Sequence, residues 1–565
     1  MDFMDLIEMP RVDSVKLFRQ IHDYEMNQLI TQKLLGSLNL TSHHLIFITQ
    51  ADPEKPREEI WIVHSSIDNL EKSITETKFQ LMIKCKNFQI FFIDFPTAYC
   101  CNSIHKSLES LSNLTTENMK LPFFCQMISN IKSEDWSFYS IENDFKRFFP
   151  DQDSCEWRIS DVNNDFKISP SYPKKVIVPK NIDDQTLVKA SQFRSMGRFP
   201  VLSYFHKKTN SFILRSGQPL LGPSNKRCKE DELILKSALP KGKQGYIYDL
   251  RDASVLKAAV SKGGGYETEM NYPLWKRINK NMDRFDQLHI SFSKLMDACL
   301  NFSNQFFYKL DASTWFFNIR QAIYLAFSVA DEIHNKNGCF LLHGWDGLDN
   351  TLLISSLSQI LLDPECRTLN GFISLIEREW LQAGHPFSKR CFKSAFGSTS
   401  QKQEGPVFLL FLDCVRQISE QFCLSFEYNE DFLIMLFDNL YTSEYGTFLG
   451  NNQNEREQLL ISSRTVSLWT YVKSEENLKK FINPLYKINE DVLWPSIYTQ
   501  SLSIWSNLYL RFQINSKPNT EAKSEIVKMV DSNMQARLKV DKLRNELLEL
   551  QNEAINRGFL SSDTV

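Results

Sequence analysis

The chain lacks any apolar run approaching the roughly 18 uninterrupted residues of a membrane-spanning helix, and it lacks a paired-cysteine motif. Its 12 cysteines are scattered, with Cys100 and Cys101 merely adjacent and no CxxC spacing. This pattern fits reduced, mostly buried thiols of a cytosolic protein, and it gives no reason to expect a zinc site or a disulfide framework. Charge of one sign is also scarce. A net charge of −3 over 565 residues argues against bulk nucleic-acid binding, which needs a strong basic excess. The opening stretch MDFMDLIEMPRVDSVKL has early acids and no long apolar core, so it does not read as a secretory signal. What is present is ordinary globular composition, 42% hydrophobic and 24% charged, in a chain long enough for two or three domains.

Residues 1–120 read as a small β-rich domain. Leu45–Ile48, Ile60–Val63 and Leu81–Cys85 are short apolar runs between polar turns, and Lys86-Asn87 is placed to turn the chain into a strand over Phe88–Ile93. A helix is expected over Ser103–Leu114, with Ile104, Leu108 and Leu111 on one face and Asn102 or Ser103 as its cap. Strands closed by one helix make the layout of a PH-like domain. Lys84 and Lys86 either touch anionic headgroups or lie on a solvated strand face.

From 125 to 510 helical and strand patterns interleave, which predicts an α/β core. The clearest helix spans Trp315–Glu332, with Ser313 or Thr314 as cap and Gly338 as stop. Beyond Pro518, neither glycine nor proline interrupts residues 519–556. Heptads fit there, with Ile526, Asn533, Val540, Leu547 and Ala554 at a and Met529, Ala536, Leu543 and Leu550 at d. The segment 520–556 therefore reads as a coiled coil, or as a single surface helix packed on its own domain. In a parallel homodimer Lys539 would face Arg544 of the other copy. That like-charge contact favours a more acidic partner over self-association.

The nine residues His343, Gly344, Trp345, Asp346, Gly347, Leu348, Asp349, Asn350 and Thr351 come after a short apolar run, Cys339–Leu342, and precede an apolar-periodic stretch. A strand, a glycine-containing turn and a helix N-terminus make a phosphate cradle, because free N–H groups and the helix dipole point into the turn. The spacing is that of a cysteine-phosphatase loop, His-Cys-x5-Arg-Thr, with Gly344 at the nucleophile and Asn350 at the phosphate clamp. Cys339 lies upstream in the strand and is no substitute. His343 is expected to be a satisfied buried histidine, and Asp346 and Asp349 to accept N–H groups at the helix start. With two carboxylates and no arginine, the pocket should be negative. Gly263-Gly264-Gly265 after Lys262 has the wrong order for a nucleotide loop and reads as a turn beside the pocket. Glu377 and Glu379 beside Arg378 read as internal ion-pair partners.

The region around the loop resembles the myotubularin family of phosphoinositide 3-phosphatases. The matches include Gly197-Arg198-Phe199-Pro200, Arg215-Ser216-Gly217-Gln218-Pro219, Lys262 through Glu267, Gly384-His385-Pro386-Phe387, Pro406 through Cys414 and Gly446 through Asn452. The resemblance implies an N-terminal PH-GRAM domain (1–120), a phosphatase-like α/β core (125–510) and a C-terminal coiled coil (520–556). It looks most like a catalytically inactive branch. Active members read His-Cys-Ser-Asp-Gly-Trp-Asp-Arg-Thr, so Asp349 stands at the general acid, while the thiolate and the guanidinium fork are lost. By resemblance the chain is expected to be a pseudophosphatase without cofactor or metal, cytoplasmic and peripheral to endosomal or other endomembranes. It would join an active myotubularin through the coiled coil (Ile526, Met529, Asn533, Val540, Leu543, Leu547, Leu550) and affect phosphatidylinositol 3-phosphate turnover and endocytic traffic. The alternative is a phosphoinositide-binding membrane module acting without an enzyme partner.

Overall fold

The structure, a computed structural model, describes residues 3–23, 28–50, 57–112, 134–151, 155–222, 224, 226–300, 305–391, 403–441 and 443–511, with scattered positions between 529 and 553. The chain divides into two compact units, Met1–Gln20 with Thr31–Phe512, and Ile21–Ile30 with Gln513–Val565.

The N-terminal strands are β1 (Arg11–Asp23), β2 (Gln28–Leu40), β3 (His44–Thr49), β4 (Glu59–Val63), β5 (Ile67–Ile74), β6 (Phe79–Cys85) and β7 (Ile90–Asp94), in the order β4-β3-β2-β1-β7-β6-β5. In β6 Leu81, Ile83 and Cys85 are buried while Met82 and Lys84 are half-exposed, the period-two alternation of a strand with one face on a core. Lys84 pairs with Glu71 at 2.6 Å on a solvent-facing ladder. Two differences have local causes. Phe88 does not open a strand. It sits in the turn at φ +68, and β7 begins at Ile90. The helix α1 begins at Ala98 and ends at Ser112, because the Thr97 hydroxyl accepts the Cys100 N–H at 3.2 Å and starts it early. Asn102 and Ser103 lie inside it, and Leu114 falls outside the described residues.

The turn residue Phe88 is buried in the second core, its ring stacked 4.8 Å from Phe437 and tilted 5.7 Å from Phe292. Arg511 donates to the Asn87 carbonyl at 3.1 Å beside it. The β-rich domain is thus pinned by an aromatic plug.

That second core is mixed α/β. Its main sheet runs β10 (Val201–His206), β11 (Ser211–Ser216), β14 (Cys339–His343), β12 (Gly245–Arg251), β13 (Trp275–Met282), with a two-stranded pair β8 (Trp157–Ser160) and β9 (Val176–Pro179) apart. Only β10 and β11 pair antiparallel in the main sheet; the other neighbours are parallel. β14 is central and buried at all five positions, as an apolar run in a parallel sheet must be. The helices that position the site are α2 (Phe285–Leu300), α3 (Phe306–Ala312), α4 (Trp315–Lys336), α5 (Asn350–Leu362) and α6 (Val407–Gln421). α4 runs four residues past the expected end, and Asn337 at φ +57, not Gly338, takes the left-handed stop. Its start uses Ser313, whose hydroxyl accepts the Trp315 N–H at 3.3 Å. α5 is buried on every side from Thr351 to Leu362, so it is a core helix rather than an amphipathic one.

In the other unit, the described positions between Met529 and Glu553 are helical. Ile526, Asn533 and Ala554 lie outside the described residues.

Candidate functional site: the loop between β14 and α5

The loop leaves the carboxyl end of the central strand and enters a thirteen-residue helix, the place where open α/β sheets hold their ligands. Its two glycines are there for different reasons. Gly347 has φ +68, and a Cβ there would lie 2.2 Å from the Ser216 carbonyl oxygen, so only glycine fits. At Gly344 φ is ordinary, and a Cβ would meet only the Thr351 hydroxyl, at 3.6 Å. The backbone at 344 would accept a side chain; the glycine there is not a steric requirement. Thr351 is fully buried, and its hydroxyl has no partner.

His343 is buried as expected, its Nε2 3.0 Å from Glu267. Glu267 is shared with Arg194, whose Nη1 donates at 2.5 Å, and Arg194 is also forked onto Asp231 at 2.8 and 2.6 Å. Burial pushes the Glu267 carboxyl up, but His343 and Arg194 outweigh it and hold it well below its usual range. The strand end is therefore locked by a buried ionic network, which is destabilising to break at one member.

The two aspartates do not cap α5. Asp349 stands just before the helix at φ +54, ψ −105 and makes no side-chain bond to an N–H of its first turn. It receives a two-bond fork from Arg390, at 3.0 and 2.7 Å, with His385 Nδ1 at 3.4 Å. Burial raises its pKa, yet Arg390 first and His385 after it bring the net shift below the usual value. Asp346 accepts the Ser195 hydroxyl at 2.7 Å, and burial raises its pKa. Both carboxylates are turned toward these partners, and Asp349 makes no cap bond to the helix terminus, so the capping expectation fails.

The expectation of a negative pocket fails for the same reason. Arg390 neutralises Asp349, and Arg198 donates to the Gly347 carbonyl at 3.0 Å. Lys262 and Arg284 lie 5.6 and 5.9 Å from the Trp345 ring, adding two cations at the mouth. Leu348, half-buried, packs against the main core. Asn350 spends its amide on the Asp283 carbonyl at 2.9 Å, a tie between the loop and the end of β13. The Asn350 side chain is thus a structural bond.

The triglycine turn does lie beside the loop. The Gly265 carbonyl accepts from Arg251 at 2.9 Å, Arg251 also donates to Gln218, and the Gln218 N–H donates to the Trp345 carbonyl at 3.2 Å. Glu379 faces Arg378 and Arg215 at 3.4 and 3.6 Å, as expected of an internal pair. Glu377 instead accepts the Trp469 indole N–H at 2.7 Å, and burial raises its pKa. Cys339 is buried, its thiol pushed up to about 11, so it is inert as a nucleophile. Among the described residues no group of three His, Cys, Asp or Glu is placed to hold a metal.

Arg390, Glu267 and Ser195 join the site from 41, 76 and 151 residues away. Nothing in their local sequence announces which group each would meet.

Two family descriptions match this chain: a myotubularin-like phosphatase domain over residues 120–457 and the GRAM domain of MTMR6-9 over residues 11–112. Myotubularin-related protein 9 of Mus musculus is 44% identical over 556 residues, 98% of this chain and 99% of that protein. The Homo sapiens phosphatidylinositol-3,5-bisphosphate 3-phosphatase MTMR6 is 32% identical over 572 residues, 99% of this chain and 89% of that protein. The Homo sapiens phosphatidylinositol-3-phosphate phosphatase MTMR7 is 33% identical over 534 residues, 91% of this chain and 78% of that protein. The phosphatase match covers more than half the residues and includes the strand, loop and helix just described; this chain belongs to the myotubularin family, with a GRAM domain before a mixed α/β phosphatase-like core.

Proposed function

We propose that this chain is a pseudophosphatase: a regulatory subunit that binds an active myotubularin phosphatase and stabilises or stimulates it. The observation that carries this reading is the loop. Its frame is complete, while position 344 has no nucleophile despite room for a side chain and Asn350 is committed to Asp283. Without a thiolate no phospho-enzyme forms, and without the fork the transferring group loses its charge partner. Asp349, at the position of the family's general acid, is tied into an ion pair.

The partner contact is the heptad row of 520–556. Its described members Met529, Val540, Leu543, Leu547 and Leu550 are helical and 48–70% exposed, as a coiled-coil seam is before its partner arrives. A partner that binds only the folded state stabilises it by mass action, which supplies a route to mutual stabilisation. The active partner would be a relative of the kind represented by MTMR6 and MTMR7. The process affected would be phosphatidylinositol 3-phosphate turnover in endocytic traffic, on the cytoplasmic face of endomembranes.

The test is co-expression of the tagged chain with an active myotubularin phosphatase. Deleting residues 520–556 should abolish co-purification and any gain in partner activity; binding at the wild-type level would rule out the coiled coil as the contact. The GRAM match supports a second reading, a phosphoinositide-binding module acting alone. Sedimentation of the partner-free chain with phosphoinositide-containing vesicles separates the two.

A further inference from the structure

Along α2, α3 and α4 the core presents large apolar side chains to solvent. Phe307 and Tyr308, adjacent on α3, are 80% and 75% exposed. Phe317 and Tyr324 on α4 and Ile290 on α2 are exposed as well. The three helices that carry them pack against one another. Ser291, next to Ile290, bonds both Thr314 at 3.2 Å and Asn318 at 3.4 Å, which brackets Phe317. Phe317, Arg320, Gln321 and Tyr324 recur at helical spacing on one side of α4. Gln321 donates to the Asn281 carbonyl at 3.2 Å, and Lys280 lies 5.7 Å from the Tyr324 ring, joining that side to the edge strand β13. Isolated exposed apolar residues need no explanation, but several large ones on three mutually packed helices do.

Its charge is the second observation. Residues 275–330 hold seven Lys or Arg and four Asp, with no Glu, in a chain whose net charge is −3. Two of those acids face cations, Asp286 with Arg284 at 3.8 Å and Asp297 with Lys309 at 3.9 Å. Lys276, Lys294 and Arg320 are exposed and pair with no carboxylate among the described residues. A protein partner's interface core is depleted in lysine. Aromatic rings flanked by basic side chains instead match a bilayer surface, where rings enter the headgroup level and lysine stems snorkel to phosphate.

We propose that the face made by α3 and the exposed side of α4 seats on an anionic lipid bilayer, with Phe307, Tyr308 and Phe317 entering the headgroup region and Lys276, Lys294 and Arg320 meeting lipid phosphates. This contact belongs to the phosphatase-like core and is separate from any made by the GRAM domain. It is tied to the loop through β13: Asn281 holds α4, and Asp283, two residues on, holds Asn350.

The test uses the full chain and vesicles of phosphatidylcholine with or without phosphatidylserine, none containing phosphoinositide. Sedimentation should require phosphatidylserine and weaken with salt. The triple change Phe307→Ser, Tyr308→Ser, Phe317→Ser and the reversal Lys294→Glu with Arg320→Glu should each lower partitioning by about tenfold or more. All five positions are exposed, and unchanged thermal unfolding verifies that the variants fold. Hydrogen exchange across 305–324 should slow on the vesicles. No binding, equal binding to neutral vesicles, or binding unchanged by both variants would overturn the proposal. So would vesicle-bound chain without protection at 305–324, the result expected if the GRAM domain alone holds the membrane, and so would protection at 305–324 conferred by a protein partner and not by vesicles.

Discussion

From Cys339 to Leu362 most side chains are buried or bonded to distant parts of the core, whereas from Met529 to Leu550 the described apolar side chains face solvent. The loop is held by groups that arrive from all over the chain: Ser195, Glu267, Asp283 and Arg390. Such a frame is set by many separated groups and not by any single position of the loop. The described heptad positions Met529, Val540, Leu543, Leu547 and Leu550 are 48–70% exposed, and the proposed partner would cover that apolar surface. One region thus has its shape fixed by many distant bonds, and the other, at its described positions, leaves its apolar side chains to solvent.

The contrast can be broken most strongly at Asp349. Arg390→Met would leave a largely buried carboxylate with only His385 within ion-pair distance and Arg284 beyond it, and should cost about 3–5 kcal/mol in chemical denaturation. A variant within error of wild type would show that the fork does not hold the loop. Next comes the pair of loop glycines. Gly347→Val forces a Cβ onto the Ser216 carbonyl at positive φ and should cost about 3 kcal/mol or more. Gly344→Cys should stay within about 1 kcal/mol of wild type, and equal losses at the two sites would refute the steric distinction.

Acid sensitivity should be intermediate. Burial lowers the pKa of His385 to about 3 and of His206 and His64 to about 4, below the usual 6.5. Between those values and 6.5 the unfolded chain binds the extra protons, so stability falls as pH falls through that window. Each histidine contributes up to roughly 1.4 kcal/mol per pH unit. Urea midpoints from pH 7 to 5 should drop accordingly, and His385→Gln should flatten the slope; an unchanged slope would remove His385 from the explanation. The smallest effect belongs to the tail. Leu543→Ser with Leu547→Ser should change the unfolding free energy of the chain alone by less than about 0.5 kcal/mol while abolishing capture of the active phosphatase. A large loss of intrinsic stability would mean the helix packs on its own chain.

Much of the fold is legible in the residues alone, and the gaps have physical causes. Strand β14, the loop and α5 come from an apolar run, a glycine turn and a long apolar-periodic stretch, all local signals. Strand β1 is not legible, because Ser14 at φ +58 breaks the alternation and buries Val12, Val15 and Leu17 at uneven spacing. Phe88 looks like a first strand residue because its apolarity serves another core, remote in sequence, at Phe292 and Phe437. Asp349 looks like a helix cap because a cap is what a lone aspartate before a helix usually is; its arginine lies beyond any local pattern.

Whether the loop keeps its frame without its reaction is decided by phosphate release from phosphatidylinositol 3-phosphate, using chain purified free of any active relative. No release above a blank is expected, for the wild type and for Asp349→Asn alike. Turnover by the wild type that Asp349→Asn abolishes would contradict the pseudophosphatase assignment.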